Sequence, residues 1–117
     1  MKKNVDKMID VTCEVWGVER EDILKDKRKD RLVFARTTIA YSLFNVFKMS
    51  YSEIARSLNR SHASIINMIA TYNAQYAYNK EFRNFANRVN FIANEISLDF
   101  KTAFQREIEE EFNEFLG

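Results

Sequence analysis

The 117-residue sequence contains no proline, and its only glycines are Gly17 and Gly117. Proline and glycine are the residues that most often form tight turns and interrupt helices, so this chain offers little support for strands joined by hairpins. Apolar residues instead recur every three or four positions along most of the chain, which is the spacing of an amphipathic helix. The sequence therefore predicts an all-α fold.

The first predicted helix ends at a glycine. Its inward positions, at helical spacing, are Val5, Met8, Ile9, Thr12, Cys13 and Trp16. Gly17 follows where a left-handed cap residue commonly ends a helix. A short turn-like or helical stretch is expected around residues 21–24. Residues 25–31 then include five Lys or Arg and no apolar side chain, which predicts a solvated basic loop.

A longer helix, a short helix and a second long helix are predicted to follow. The first has its apolar stripe at Leu32, Ala35, Ile39, Leu43 and Phe47 and ends near Lys48. Ser50 and Glu53 match the capping-box spacing that starts a new helix, whose inward residues are Ile54, Ala55 and Leu58. A turn at residues 59–60 and a cap at Ser61 predict the next helix from His62. Its apolar stripe is Ile65, Met68, Ile69, Tyr72 and Tyr76, which leaves Ala63, Ser64, Asn67 and Thr71 outside.

The last third of the chain changes character. Residues 82–96 carry a further amphipathic stripe at Phe82, Phe85, Val89, Ile92 and Ile96. Residues 97–117 combine an apolar side, Phe100, Phe104, Ile108, Phe112 and Leu116, with an acidic one, Glu107, Glu109, Glu110, Glu111 and Glu114. We expect a helix-turn-helix domain in residues 1–96. Residues 97–117 are expected to pack on that domain or to form a dimer.

Composition and charge narrow the class of function. Hydrophobic residues make up 46% and charged residues 30% of the chain, as in soluble globular domains. Neither a membrane span nor a signal peptide is visible, so we expect a cytoplasmic protein without a membrane partner. Residues 1–60 hold 13 basic against 9 acidic residues and residues 61–117 hold 5 against 8, which gives +4 and −3. A nucleic-acid face is therefore expected in the first half.

The sequence gives little support for catalysis, metal binding or ATP hydrolysis. Cys13 and His62 are the only residues of their types, so neither a disulfide, a metal site nor a Cys/His catalytic set is expected. Two isolated glycines cannot form a glycine-rich phosphate loop, which argues against ATP hydrolysis. We predict a protein that is not an enzyme, needs no cofactor and takes no small-molecule substrate.

The short capped helix, the turn and the longer helix with small polar residues on its outer face are the parts of a helix-turn-helix. Such a helix fits the major groove, where small side chains let the backbone approach base edges. The same pattern also occurs in helical hairpins that bind no DNA, and by itself it leaves both alternatives open.

A family resemblance favours DNA. The matching pieces are residues 13–18 at the end of a helix, a basic loop before residues 32–36, Tyr41, residues 50–54 and residues 60–65. From Met8 to Phe82 the sequence resembles the C-terminal DNA-binding domain of the bacterial replication initiator DnaA. The resemblance implies a helix-turn-helix domain of the Trp-repressor-like, DnaA C-terminal type, here with extra C-terminal helices.

The resemblance also implies roles for single residues. Arg28 corresponds to a loop arginine that enters the minor groove. Its neighbours Lys27, Lys29 and Arg36 would contact phosphates, and Arg60 could hold another. The cap at Ser50 would place helix N–H groups near another phosphate, and Tyr51 beside it is a further DNA-contact candidate. These contacts position the protein on DNA but do not specify a sequence.

Base reading in the family uses an Asp, a His and a Thr, which correspond to Ser61, His62 and Ala63. Of these, only the histidine is retained. Ser61 is too short to reach a base as aspartate does, and Ala63 could meet a thymine methyl. Ser64 and Asn67 lie on the correct side to assist. Selectivity for the AT-rich box of the family is therefore in question.

Two functional hypotheses follow. The first is sequence-selective binding of double-stranded DNA in replication control or transcription regulation, in a stand-alone relative from a phage, plasmid or other mobile element. The second is a protein-interaction module that kept the fold and uses its acidic C-terminal segment to bind a partner. A homodimer through that segment is compatible with either.

Overall fold

The computed structural model describes the backbone of residues 2–25 and 29–116, and the side chains of residues 3–25, 29–99 and 105–114. All the regular elements in these residues are helices, which confirms the predicted all-α class. They are α1 (Lys2–Trp16), α2 (Arg20–Leu24), α3 (Asp30–Asn45), α4 (Tyr51–Leu58), α5 (His62–Tyr78) and α6 (Lys80–Leu116). None of the described helices is both long and apolar enough to span a membrane.

Helix α1 ends as its sequence predicts. Gly17 has a φ of +67°, in the left-handed region that a residue without Cβ occupies at little cost. The Val18 N–H then donates to the Cys13 carbonyl at 3.1 Å, which satisfies one of the last free carbonyls of the helix. This reversal directs the chain into α2.

Helix α3 is the centre of the domain and contacts the other five helices. Nine of its residues, from Leu32 to Leu43, are buried. At one end Trp16, Phe34, Tyr72 and Phe82 form a cluster of rings, with centroids 5.3 to 6.1 Å apart for the pairs in contact. Aromatic burial of this kind joins α1, α3, α5 and α6 into one core.

A partly buried chain of polar side chains links three helices beside that cluster. The Ser42 hydroxyl donates to Asn90 Oδ1 at 2.8 Å, and Asn90 Nδ2 donates to the Tyr72 hydroxyl at 2.6 Å. Burial, the larger effect, raises the pKa of Tyr72 to about 12, although the hydrogen bond from Asn90 opposes the shift. The packing of α3, α5 and α6 is therefore specified by polar as well as apolar contacts.

Helix α6 is continuous where the sequence predicts two segments. The sequence suggests a helix over residues 82–96 and a separate last segment, whereas one helix of 37 residues passes through both. Its first half is buried in the core at Phe82, Ala86, Val89 and Ala93. Residues 105–114 are all exposed. The helix continues because no proline or glycine interrupts it, and the functional division at residues 96 and 97 stays a prediction.

Candidate nucleic-acid interface

The start of α4 is fixed by the predicted capping box. Ser50 Oγ accepts a hydrogen bond from the Glu53 N–H at 3.2 Å, and the Glu53 carboxylate accepts one from the Ser50 N–H at 3.5 Å. Both bonds satisfy N–H groups that a helix start leaves free. Ser50 is exposed at this position, as the prediction of a phosphate contact requires.

The turn between α4 and α5 is made by Asn59 and Arg60. Asn59 has a φ of 54°, a left-handed conformation that asparagine tolerates better than most residues. The Arg60 N–H donates to the Ala55 carbonyl at 2.9 Å and closes the turn. Ser61 Oγ then accepts from the Ser64 N–H at 3.1 Å and caps α5. These bonds confirm the helix-turn-helix predicted from the sequence.

The outer side of α5 begins at its first turn and consists of small, polar and aliphatic residues. Its side chains, called here the reading face, are His62, Ala63, Ser64, Ile66 and Asn67. All are exposed except Ser64, which is half-buried. Ile65 and Tyr72 on the inner side are buried, which holds α5 against α3 and orients this face outward. Sequence reasoning placed four of the five residues and missed Ile66, which follows Ala63 by one helical turn.

Tyr51 supports the reading face. Its half-buried ring lies with its centroid 4.9 Å from the Phe44 ring and 5.7 Å from the His62 ring, at 72° to the imidazole. An edge-to-face contact of this kind limits the directions available to His62. The structure therefore brings Tyr51 next to a base-reading candidate, a relation that the sequence did not indicate.

Arg36 differs from its prediction. Expected to contact a phosphate, it is only 4% exposed, and its guanidinium donates to the backbone carbonyls of Ile23, Asp22 and Lys25. These carbonyls belong to the end of α2, where a short helix cannot satisfy them internally. The packing of α3 against α2 directs the Arg36 side chain inward. Its guanidinium there holds the start of the basic loop instead of facing a phosphate.

Arg60 donates to two of the same backbone carbonyls as Arg36. Arg60 Nη2 also donates to the carbonyls of Lys25 and Ile23, the latter at 3.4 Å. One carbonyl, that of Lys25, thus accepts from an arginine of α3 and from an arginine of the α4–α5 turn. This arrangement anchors the basic loop to the helix-turn-helix, and a phosphate contact by Arg60 stays a prediction.

The basic loop is held at both ends. Beyond Lys25 it enters residues 26–28, so Lys27 and Arg28, the predicted minor-groove residue, lie outside the described residues. Lys29 is exposed immediately before α3. Arg31 Nη1 donates to the Trp16 carbonyl at 2.6 Å and ties the far end of the loop to α1.

A shallow groove of about 230 Å³ lies between the loop anchors and the reading face. Its lining comes from α3 and α5 as well as the turn, and consists of Val33, Arg36, Thr37, Arg60, Ser64, Asn67, Met68 and Thr71. No local sequence signal reveals this set, because its members are brought together by the crossing of two helices. A larger groove, of about 460 Å³ between α1, α2 and α4, contains none of the predicted contact residues.

The described residues contain no group of three His, Cys, Asp or Glu side chains arranged to hold a metal ion. Cys13 is buried on the inner side of α1, and burial raises the pKa of its thiol. A buried thiol that keeps its proton is a packing residue. The surface around α5 therefore presents hydrogen-bonding groups, cationic side chains and apolar side chains.

Comparison with known proteins agrees with this geometry. A family model described as the bacterial dnaA protein helix-turn-helix matches residues 5–71. The chromosomal replication initiator protein DnaA of Thermotoga maritima is 34% identical over 65 residues, which are 56% of this chain and 15% of that protein. The corresponding protein of Pseudothermotoga lettingae is 31% identical over 64 residues, or 55% of this chain and 14% of that protein.

A solved structure described as a DNA replication initiation factor superposes with a TM-score of 0.71 at 25% identity, over 80% of this chain and 29% of the other. The chain spans about 15% of the length of the curated relatives it matches. Because the family model covers more than half of the chain and includes the whole turn and the start of α5, the predicted resemblance is confirmed. The chain belongs to the bacterial DnaA helix-turn-helix family, whose members are DNA-binding domains.

Proposed function

We propose that this chain binds double-stranded DNA selectively by placing the start of α5 in the major groove. The observation that carries the proposal is the reading face itself, held outward by buried Ile65 and Tyr72 and capped by Ser61. The major groove admits one helix and displays a different pattern of donors, acceptors and methyl groups for each base pair. His62, Asn67 and Ser64 supply polar groups that can distinguish those patterns.

Contacts to the DNA backbone would come from three places around that helix. Lys27 and Lys29 in the basic loop would bind phosphates, with Arg28 in the adjacent minor groove. We propose a further phosphate contact at the first turn of α4, which the exposure of its cap Ser50 supports. The anchoring of Lys25 by Arg60 supports this arrangement, since it ties the loop that enters one groove to the turn that leads into the other.

The biological role proposed is replication control or transcription regulation. The chain is proposed to act by binding alone, without ATP hydrolysis, because the part of the relatives that it matches is a helix-turn-helix. Occupying a site on a duplex is sufficient to exclude or recruit other proteins there.

Selection of duplexes from a random pool, followed by affinity measurements at several salt concentrations, tests the proposal. We expect one enriched motif and a steep fall of affinity with salt, since roughly four to eight phosphate contacts would release counterions. A pool that remains random, or affinity that does not change with salt, would reject sequence-selective DNA binding.

Variants then separate base reading from backbone contact. His62→Ala should reduce discrimination at one or two base pairs and cost about 1 to 3 kcal/mol on the selected site. Arg28→Ala should weaken binding most where the flank is AT-rich, because a narrow minor groove attracts arginine. Glu110→Ala, on the exposed end of α6, is the matched control. Unchanged selectivity in His62→Ala would show that His62 does not read a base.

A second proposed function uses the exposed end of α6, defined as residues 105–114. Ile108 is 44% exposed and Phe112 is 60% exposed, four residues apart and hence close to one side of the helix. Five glutamates against Arg106 give this segment a charge of −4. An apolar stripe beside acidic residues is a surface for a second copy of the chain or for a partner protein.

Sedimentation of the full chain beside Ile108→Glu and Phe112→Ser tests self-association. A dimer that both substitutions convert to a monomer would support a homodimer through α6. If the unmodified chain is itself a monomer over the concentration range at which it binds DNA, the homodimer is rejected and partner binding is the remaining use of the stripe.

A further inference from the structure

Helix α6 exposes a row of large apolar side chains along most of its length. Among its described side chains, the exposed large hydrophobic residues are Phe91, Leu98, Ile108 and Phe112, each 44 to 67% exposed. With Phe91 at position a of a heptad, the four fall at positions a, a, d and a. This is the spacing at which one helix packs against another in a coiled coil, and the four residues are called here the α6 seam.

The core-packed residues of the same helix lie on its opposite side. In the same heptad frame, the buried residues Phe82 and Val89 occupy position f, and Ala86 and Ala93 occupy position c. Positions c and f lie across the helix from positions a and d. The domain therefore packs on one side of α6, and the α6 seam is exposed on the other side of both the core-packed half and the exposed end.

Charge divides α6 along its length. Residues 80–96 contain three basic and two acidic residues, a sum of +1, whereas residues 105–114 have a charge of −4. Two parallel copies would place their acidic ends side by side, where like charges repel. An antiparallel pair instead brings each acidic end alongside the cationic half of the other copy. The charges therefore favour a second copy in the antiparallel orientation.

The residues beside the α6 seam select the register of such a pair. In an antiparallel pair, position a faces position d of the second copy, and position e faces position e. Placing Phe91 against Ile108 of the second copy sets Arg88 against its Glu109, and both charged residues are exposed. A shift of seven residues would set Glu95 against Glu109 instead. Opposite charges therefore favour the first register and like charges oppose the second.

We infer that two copies of this chain pair through antiparallel α6 helices, with the acidic end of each copy docked on the Phe91 side of the other. The inference rests on the proposed self-association through α6 and adds the surface on which each end docks. In this register the helices overlap from about residue 83 to residue 116, roughly 50 Å at 1.5 Å per residue. Each contact occurs twice, because the pair is two-fold symmetric.

Sedimentation of the full chain and of Phe91→Glu tests the docking surface. Because Phe91 is 67% exposed, its replacement leaves the core intact, and a carboxylate in the seam should raise the dissociation constant of the dimer at least about a hundredfold. Tyr78→Glu, at a residue 92% exposed outside α6, is the matched control and should leave the dimer unchanged. A dimer that Phe91→Glu does not weaken would overturn the inference and leave self-association through the exposed end of α6 intact.

Exchange of charges tests the orientation and the register. Arg88→Glu and Glu109→Arg, each alone, should weaken the dimer about tenfold, since each affects two ion pairs. The double variant restores opposite charges, and its dissociation constant should return to within about threefold of the original. Arg106→Glu, at an exposed residue on position b, is the control and should change the constant less than about twofold.

The remaining outcomes separate this inference from the proposals on which it rests. Single variants that match the original, or a double variant weaker than either single one, would overturn the antiparallel pairing while leaving a dimer in place. A chain that is a monomer over the whole concentration range rejects the homodimer and this inference together. DNA binding is measured separately and stands or falls by the selection experiment.

Discussion

The helix-turn-helix and the exposed end of α6 are both helical and both expose apolar side chains, but they differ in what holds them. Capping bonds at Ser50 and Ser61, buried Ile65 and the anchoring arginines fix the direction of the reading face. Residues 105–114 are exposed and rely on the helix before them for position. The family model likewise covers residues 5–71 and stops before α6. A side chain therefore acquires a defined direction where tertiary contacts fix the backbone that carries it.

The largest contrast is expected within α6 itself, where the same substitution can be made in both regions. Phe82 is 1% exposed within the ring cluster, whereas Phe112 is 60% exposed. Phe82→Ala should lower the free energy of unfolding by about 3 to 5 kcal/mol through lost burial and a cavity, and Phe112→Ala by less than about 0.5 kcal/mol. Chemical denaturation of both variants at low protein concentration measures this. Equal losses would show that the end of α6 belongs to the core.

Arg36 and Arg106 also differ in how far tertiary contacts hold them. Arg36→Ala leaves backbone carbonyls of α2 without their donors, and we expect it to cost about 2 to 4 kcal/mol of stability. Arg106→Ala, on the exposed end of α6, should leave stability unchanged within error. DNA affinity should also fall for Arg36→Ala at every salt concentration, since the loop loses its anchor. If Arg36→Ala keeps full stability but has a shallower salt dependence, Arg36 is a phosphate contact after all.

The polar chain through Tyr72 predicts that the folding stability of the domain falls at alkaline pH. A pKa raised from 10 to about 12 means that the folded state favours the protonated phenol. The protonated Tyr72 phenol therefore contributes roughly 2 to 3 kcal/mol to the free energy of unfolding. This contribution is complete below pH 10 and is lost as pH rises toward 12. Denaturation at pH 9 and pH 11.5 should therefore show a loss that Tyr72→Phe reduces. Tyr78→Phe, at a residue 92% exposed, should reduce none of it.

The smallest effect concerns the cap of α5. Ser61→Ala removes the acceptor for the Ser64 N–H and should cost about 1 kcal/mol of stability. Ser52→Ala, at an exposed serine inside the first turn of α4, should cost much less. Thermal unfolding followed by circular dichroism compares the two. If both variants unfold with the original protein, the cap does not fix the start of the reading face.

Local features of the molecule were predictable because they depend on neighbouring residues. The capping box at Ser50, the left-handed Gly17 and the start of α5 after Ser61 each involve bonds within five residues along the chain. The outer side of α5 follows from helical period, although the apolar stripe does not indicate that Ile66 is exposed.

Other features required the assembled domain. Arg36 and Arg60 both donate to the carbonyl of Lys25. They lie 11 and 35 residues from it along the chain, so no local pattern predicts the contact. The ring contact between Tyr51 and His62 depends on the angle of the turn between their helices. Where most helices begin and which sides they bury could be predicted from the sequence, because both follow from short-range hydrogen bonding and periodic burial, and the family followed from the resemblance of its motifs. The role of Arg36 and Arg60 as anchors of Lys25 comes from the assembled fold, because it depends on which backbone carbonyls the packing of distant helices brings within reach.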